Sequence, residues 1–217
     1  MNKTAITVLR DVIPASPVFT TRMAAETASV SRDVASRDLA RLAEENIIVR
    51  ITQGIWADVR HPDFSPYAVV PHLLRARRSD APGYVSLLSA LNLRGMIQQI
   101  PRVIQVVVTE QRRSVRTAVG TYEFHQIDPV LFGGYEPFGQ LGNFEVATAT
   151  KALFDVIYLS VRRGRRFSHL PELDLPKGFR AKALEKWIRT IPHSPVRAAV
   201  TARWLTMLAH LPMPQRV

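Results

Sequence analysis

No cysteine occurs in the 217 residues. That single absence excludes disulfide scaffolds, thiolate zinc sites, iron–sulfur clusters and a cysteine nucleophile, and it suits a reducing compartment. Long apolar runs are missing as well. No stretch approaches the roughly 18 uninterrupted apolar residues of a spanning helix, and the N-terminus shows no charged-then-apolar leader pattern, so a soluble, cytoplasmic protein is expected. Acidic residues are scarce in one region only. The chain carries 29 Lys and Arg against 18 Asp and Glu, a net charge of +11, and residues 161–217 alone hold 12 of the bases and 3 of the acids. Residues 1–60, with 8 bases and 7 acids, and residues 61–160, with 9 and 8, are nearly neutral. The positive field therefore arises in the C-terminal quarter, whose expected partner is a polyanion or an acidic protein surface.

What is present is an ordinary globular composition, 47% hydrophobic and 22% charged with 10 Gly and 15 Pro, long enough for one large domain or two small ones. Residues 4–13, TAITVLRDVI, have helical spacing and stop before Pro14. The run TTRMAAETAS after Phe19 predicts a short helix of small residues. Ser31 then caps a third helix over SRDVASRDLARLAEEN, with Asp33 well placed in its first turn. On a 100° wheel Ala35, Leu39, Leu42 and Ala43 share the inner side, while Arg37, Ala40, Arg41 and Glu44 share the outer. IIVRI and IWA follow as two β-biased runs joined by Thr52-Gln53-Gly54, the turn of a short hairpin.

Three helices and a hairpin make a winged helix-turn-helix over residues 1–60. A short helix, a tight turn and a longer helix with an exposed N-terminal half suit a major groove about 12 Å wide. Arg32, Arg37 and Arg41 on that helix can donate to guanine edges or phosphates, and Ser31 and Ser36 to either. Thr52 and Gln53 at the hairpin tip reach toward the flanking backbone. The competing reading is a protein-docking module, since Asp33, Asp38, Glu44 and Glu45 offset the local positive charge.

The stretches VFTTRMAA and SVSRDVASRDLARLAEENIIVRITQGIWA, within residues 18–57, resemble the N-terminal winged helix of the AbiEi family of antitoxins from type IV toxin–antitoxin systems. YVSLLSALNLRGMIQQIP at 84–101, TYEFHQIDPVLFGG at 121–134 and FEVATATKALFDVIYLS at 144–160 resemble, in order, segments of that family's C-terminal domain; Thr150 stands where the family usually has an acid. The resemblance implies a DNA-binding antitoxin that represses its own operon. It also implies a nucleotidyltransferase-like toxin as functional partner, countered without a stable mutual complex.

Residues 61–217 predict an α+β domain with a small sheet and C-terminal helices. HPDFSPY from His61 reads as a linker, AVVPHLLRARR as a helix interrupted early by Pro71, and YVSLLSALNLRG as a helix stopped by Gly95. RVIQVVVTEQ, SVRTAV and TYEFHQI supply strands, and FEVATATKALFDVIYLSVRRG a helix capped at Thr148. Two further helices are expected at 178–191 and 194–211. FGGYEPFGQLG, with four glycines, matches neither phosphate-loop pattern and reads as a loop.

No catalytic constellation emerges. Ser86 and Ser89 fit a small-residue helix seam, and His125 is the one candidate general base, better read as a hydrogen-bonded structural histidine. The six histidines lack paired metal spacing, and no acidic pair suits magnesium, so no cofactor, no metal and no enzyme activity are expected. Lys151 and Asp155, four apart, read as a modest surface or half-buried ion pair. Arg162, Arg163, Arg165 and Arg166 form the densest charge run and are candidates for phosphate contact with double-stranded DNA, extended by Lys177, Arg180, Lys182, Lys186 and Arg189. Trp187 and Trp204 read as core or interface anchors. A second reading makes the protein a non-DNA interaction partner that neutralises an acidic nucleotidyltransferase toxin or shields its RNA substrate.

Overall fold

Apolar side chains at helical spacing start the chain as α1 (Lys3–Thr7), which runs on as one turn of π-helix over Val8–Val12. The computed structural model describes residues 3–75, 82–139, 143–162, 171–176 and 179–210. Next come β1 (Val18–Thr20), α2 (Thr21–Ala28), α3 (Arg32–Glu44), β2 (Val49–Thr52) and β3 (Ile55–Ala57). The three strands form an antiparallel sheet in the order β1-β3-β2, with Phe19 opposite Trp56. Val8, Val12, Phe19, Leu39, Leu42, Ile48 and Trp56 are the core. At about 1.5–3 kcal/mol per buried large side chain, this cluster holds the helices on the sheet. The winged-helix arrangement read from the sequence is therefore present. Strand β1 is an addition: Val18-Phe19 reads as a connection, yet it completes the sheet and joins the core. Ala40, expected on the outer side of α3, packs partly buried against the core.

A 3-10 turn at Pro66–Val69 leads into α4 (Val70–Arg75). Pro71 is the second residue of α4, at the point where the 3-10 turn gives way to α-helix, close to the early interruption that the sequence suggested.

The remaining elements are β4 (Gly83–Val85), α5 (Leu87–Leu93), β5 (Ile104–Val108), β6 (Val115–Thr117), β7 (Gly120–Gln126), β8 (Tyr135–Phe138), β9 (Phe144–Ala147), α6 (Ala149–Arg162), α7 (Ala181–Arg189) and α8 (Ser194–His210). The six strands form one sheet in the order β6-β7-β5-β4-β9-β8. Pairing is antiparallel for β4 with β5 and for β6 with β7, and parallel for β4 with β9, where Val85 faces Val146. The chain is thus a mixed α+β protein. Three segments depart from expectation. Tyr84-Val85 is strand and not the start of α5, FEVA is strand β9 before α6, and YEPF within the glycine-rich segment is strand β8.

Two compact units result, Met1–Ala81 with Ser114–Tyr122 and Phe138–Phe144, and Pro82–Arg113 with Glu123–Pro137 and Glu145–Val217. In the first, the Tyr122 hydroxyl donates to the Pro66 carbonyl at 2.7 Å, and Tyr67 stacks on Phe144. In the second, the Arg94 guanidinium donates to the carbonyls of Val146 and Ala147 and pairs with Glu136 at 2.8 Å, tying the end of α5 to β9 and β8.

Candidate nucleic-acid interface

The turn between α2 and α3 depends on one residue. Ser29 adopts a left-handed conformation at φ 52°, and the next N–H, that of Val30, returns to the Ala25 carbonyl, which ends α2 sharply. Ser31 then caps α3, its hydroxyl oxygen accepting from the Val34 N–H at 3.3 Å. Ala24, Ala25, Ala28 and Ala35 are buried, and small residues of this kind let helices lie close together.

These constraints leave one side of α3 in solvent. Ser31, Arg32, Ser36, Arg37 and Arg41 are all exposed. Their charges are not equivalent. Arg41 lies 3.8 Å from Glu45, whereas Arg37 donates only to the Asp33 carbonyl, at 3.4 Å. Among the described residues, neither Arg32 nor Arg37 has a carboxylate partner. Two guanidinium groups and a hydroxyl are thus gathered on the N-terminal half of a 13-residue helix about 20 Å long.

The hairpin tip is tighter than the sequence suggested. Thr52 is the last residue of β2 and half-buried, so the turn is Gln53-Gly54, with Gln53 exposed and Gly54 at φ 75°. Arg50 is a residue that the sequence reading missed. It is exposed on β2 with its guanidinium over the Trp56 ring, 5.5 Å from the centroid. Its place beside Ile51 in a half-buried strand was the available signal, since neighbours on a strand face opposite ways.

Arg162 ends α6 in solvent, donating to the Tyr158 hydroxyl at 2.9 Å. It borders a cleft of about 320 Å³ with Gln126, Asp128 and Leu159. Arg163, Arg165, Arg166 and Lys177 lie outside the described residues. Arg180, Lys182, Lys186 and Arg189 are exposed, and Arg189 lies 3.8 Å from Glu185. Trp204 is buried and Trp187 packs on Phe154 at 5.8 Å.

Lys151 and Asp155 differ most from expectation. Both are wholly buried and paired, in place of a surface or half-buried pair. The second oxygen of Asp155 accepts from the Ser86 hydroxyl at 2.7 Å and the Tyr84 hydroxyl at 3.1 Å. The Lys151 ammonium also lies over the rings of Tyr84, Phe154 and Trp187. Burial pushes the lysine pKa down and the aspartate pKa up, and each is opposed by its partner. Burial, then the Asp155 charge, pushes the Tyr84 hydroxyl up. Ser89 donates to the Val103 carbonyl and accepts from the Gln105 N–H. His125 is 1% exposed, 3.6 Å from Glu123. The Lys151, Asp155, Tyr84, Ser86 and Ser89 groups are held by one another and by the backbone, inside the second unit.

Among the described residues no group of three or more His, Asp and Glu side chains is placed to hold a metal ion, and no helix is long and apolar enough to cross a membrane. No family model matches the sequence, and no characterised protein shows detectable sequence similarity to it. The fold is similar to that in the crystal structure of the RV2827C protein from Mycobacterium tuberculosis, with 18% identity and a TM-score of 0.57 over 99% of this chain and 83% of that one.

Proposed function

We propose that this protein is a DNA-binding antitoxin of the AbiEi type, a cytoplasmic repressor of its own operon whose winged helix reads the operator. The observation that carries the reading is the exposed N-terminal half of α3, where Arg32, Ser36 and Arg37 stand together with no carboxylate against either guanidinium among the described residues. An α-helix fits the major groove, and a guanidinium there pairs in bidentate fashion with guanine, discriminating by about 1–3 kcal/mol per base. Exposed Gln53 and Arg50 on the hairpin would take the adjacent backbone, a contact that positions the protein without specifying sequence. Arg162, with Arg163, Arg165 and Arg166 after it in sequence, adds phosphate contacts. The antitoxin assignment rests on the motif resemblance, with a nucleotidyltransferase-like toxin as the functional partner.

The test is a footprint on the DNA upstream of the chain's own gene. Arg32→Ala and Arg37→Ala are each expected to lower operator affinity about 5- to 150-fold, the equivalent of 1–3 kcal/mol, with little change on unrelated duplex. Wild-type protein that leaves the upstream fragment unprotected would refute DNA reading. Antitoxicity is read separately, by co-expressing the chain with the neighbouring gene and scoring growth.

A further inference from the structure

Helix α8 is apolar on more than one side. Val200 and Trp204 point inward and are buried, while Ala198, Ala202 and Leu205 are exposed, Leu205 by 58%. A helix that is apolar all round normally has cover on every face. The outer residues are not a flat patch. With Ile188 of α7 they line a groove of about 430 Å³ between the two helices.

The groove's borders are cationic. Arg189 and Arg197 line it, and Lys182 and Lys186 continue the α7 side at helical spacing. Arg197 donates to the Ile191 carbonyl, and among the described residues no carboxylate pairs with it. Residues 179–210 contain six Lys and Arg and one acid, Glu185.

We propose that the α7–α8 groove is a docking site for an acidic amphipathic helix from a partner protein. Apolar side chains on the incoming helix would seat against Ile188, Ala202 and Leu205, while its flanking carboxylates meet Arg189, Arg197 and Lys186. This is recognition of a helix in a groove, with the basic rim choosing the partner by charge. Duplex DNA supplies phosphates for the rim and no apolar side chains for the floor. A second copy would bring two cationic rims together, which like-charge repulsion opposes. The proposal is independent of operator reading, which uses α3.

The probe is a fluorescent synthetic amphipathic helix as long as α8, with leucines along one face and glutamates beside them, titrated into the full-length protein. A scrambled peptide of the same composition is the control. The expected result is saturable binding of the amphipathic peptide, at least about tenfold tighter than the scramble. It should weaken at least about tenfold with Leu205→Glu or Ala202→Glu, substitutions at exposed positions that place a charge on the floor. Arg197→Glu should weaken it too, and operator affinity should stay unchanged in the two floor variants. Equal binding of the scramble, or insensitivity to both floor substitutions, would overturn the proposal. So would a self-association in sedimentation velocity that Leu205→Glu abolishes, which would make the occupant a second copy. Capture by phosphatidylserine vesicles that the same variant abolishes would assign the face to a membrane.

Discussion

At the scale of single residues, a charge pair without solvent is costly, and Lys151 with Asp155 is tolerable because Ser86 and Tyr84 satisfy the oxygen that the lysine leaves. Removing one member strands the other. Lys151→Met is expected to cost about 3–5 kcal/mol in urea denaturation, and adding Asp155→Leu should restore most of it, because a neutral apolar pair needs no compensation. His72 gives a pH signature in the first unit. Burial, followed by the charge of Arg75, pushes its pKa down to about 4 against a hydrogen bond to the Val18 backbone. The unfolded chain therefore binds the proton more readily between pH 6.5 and 4. Stability from the neutral ring is complete above that window and lost as pH falls through it, by on the order of 2 kcal/mol for a half-buried ring. Urea midpoints at pH 7.5 and 4.5 should differ by less in His72→Gln than in wild type.

Elements show what a sequence reveals and what it hides. The three helices and hairpin of residues 3–57 were readable because each carries its own signal: Ser31 at a cap, an apolar stripe through Leu39 and Leu42, and Gln53-Gly54 at a turn. Strands β1, β4, β8 and β9 were not, since three or four residues span too few alternations to show a period. The Lys151–Asp155 pair was misplaced for a related reason. Four-residue spacing states that two side chains meet, not where. Better information lay in the neighbours, because residues 151–160 are otherwise nearly all apolar and such a helix is covered on every side. Arg32, Ser36 and Arg37 were readable as a group because they fall between the core positions of α3. Arg50 was overlooked although its alternation with buried Ile51 on β2 marked it as outward-facing.

Gly134 shows how tightly α7 approaches the β8–α6 region. At φ +70°, a methyl group there would lie 2.8 Å from Trp187 and 3.1 Å from Lys151, whereas one on Gly95, at φ +68°, meets nothing within 4 Å. Gly95→Ala should cost about 1 kcal/mol of backbone strain, and Gly134→Ala about 1–3 kcal/mol more from displaced contacts. Thermal denaturation of the two variants would give equal losses if the close approach did not matter.

For the whole molecule the governing fact is a charge of +11 concentrated after residue 160. Each phosphate neutralised releases counterions and adds about 0.9 to the slope of log affinity on log salt. Replacing Arg162, Arg163, Arg165 and Arg166 together by Gln should flatten that slope by as much as about 3.6 and weaken binding to operator and unrelated duplex alike. An unchanged slope would assign these charges elsewhere. Connectivity has its own consequence. The parallel pairing of Val85 with Val146 joins residues about sixty apart in sequence, so the middle of the large sheet closes only after a long loop does. During synthesis, β4 waits for β9 to leave the ribosome while its Tyr84-Val85 edge is still without that neighbour. Refolding from denaturant should be paced by this closure, and the window before it is when the nascent chain is most exposed to aggregation.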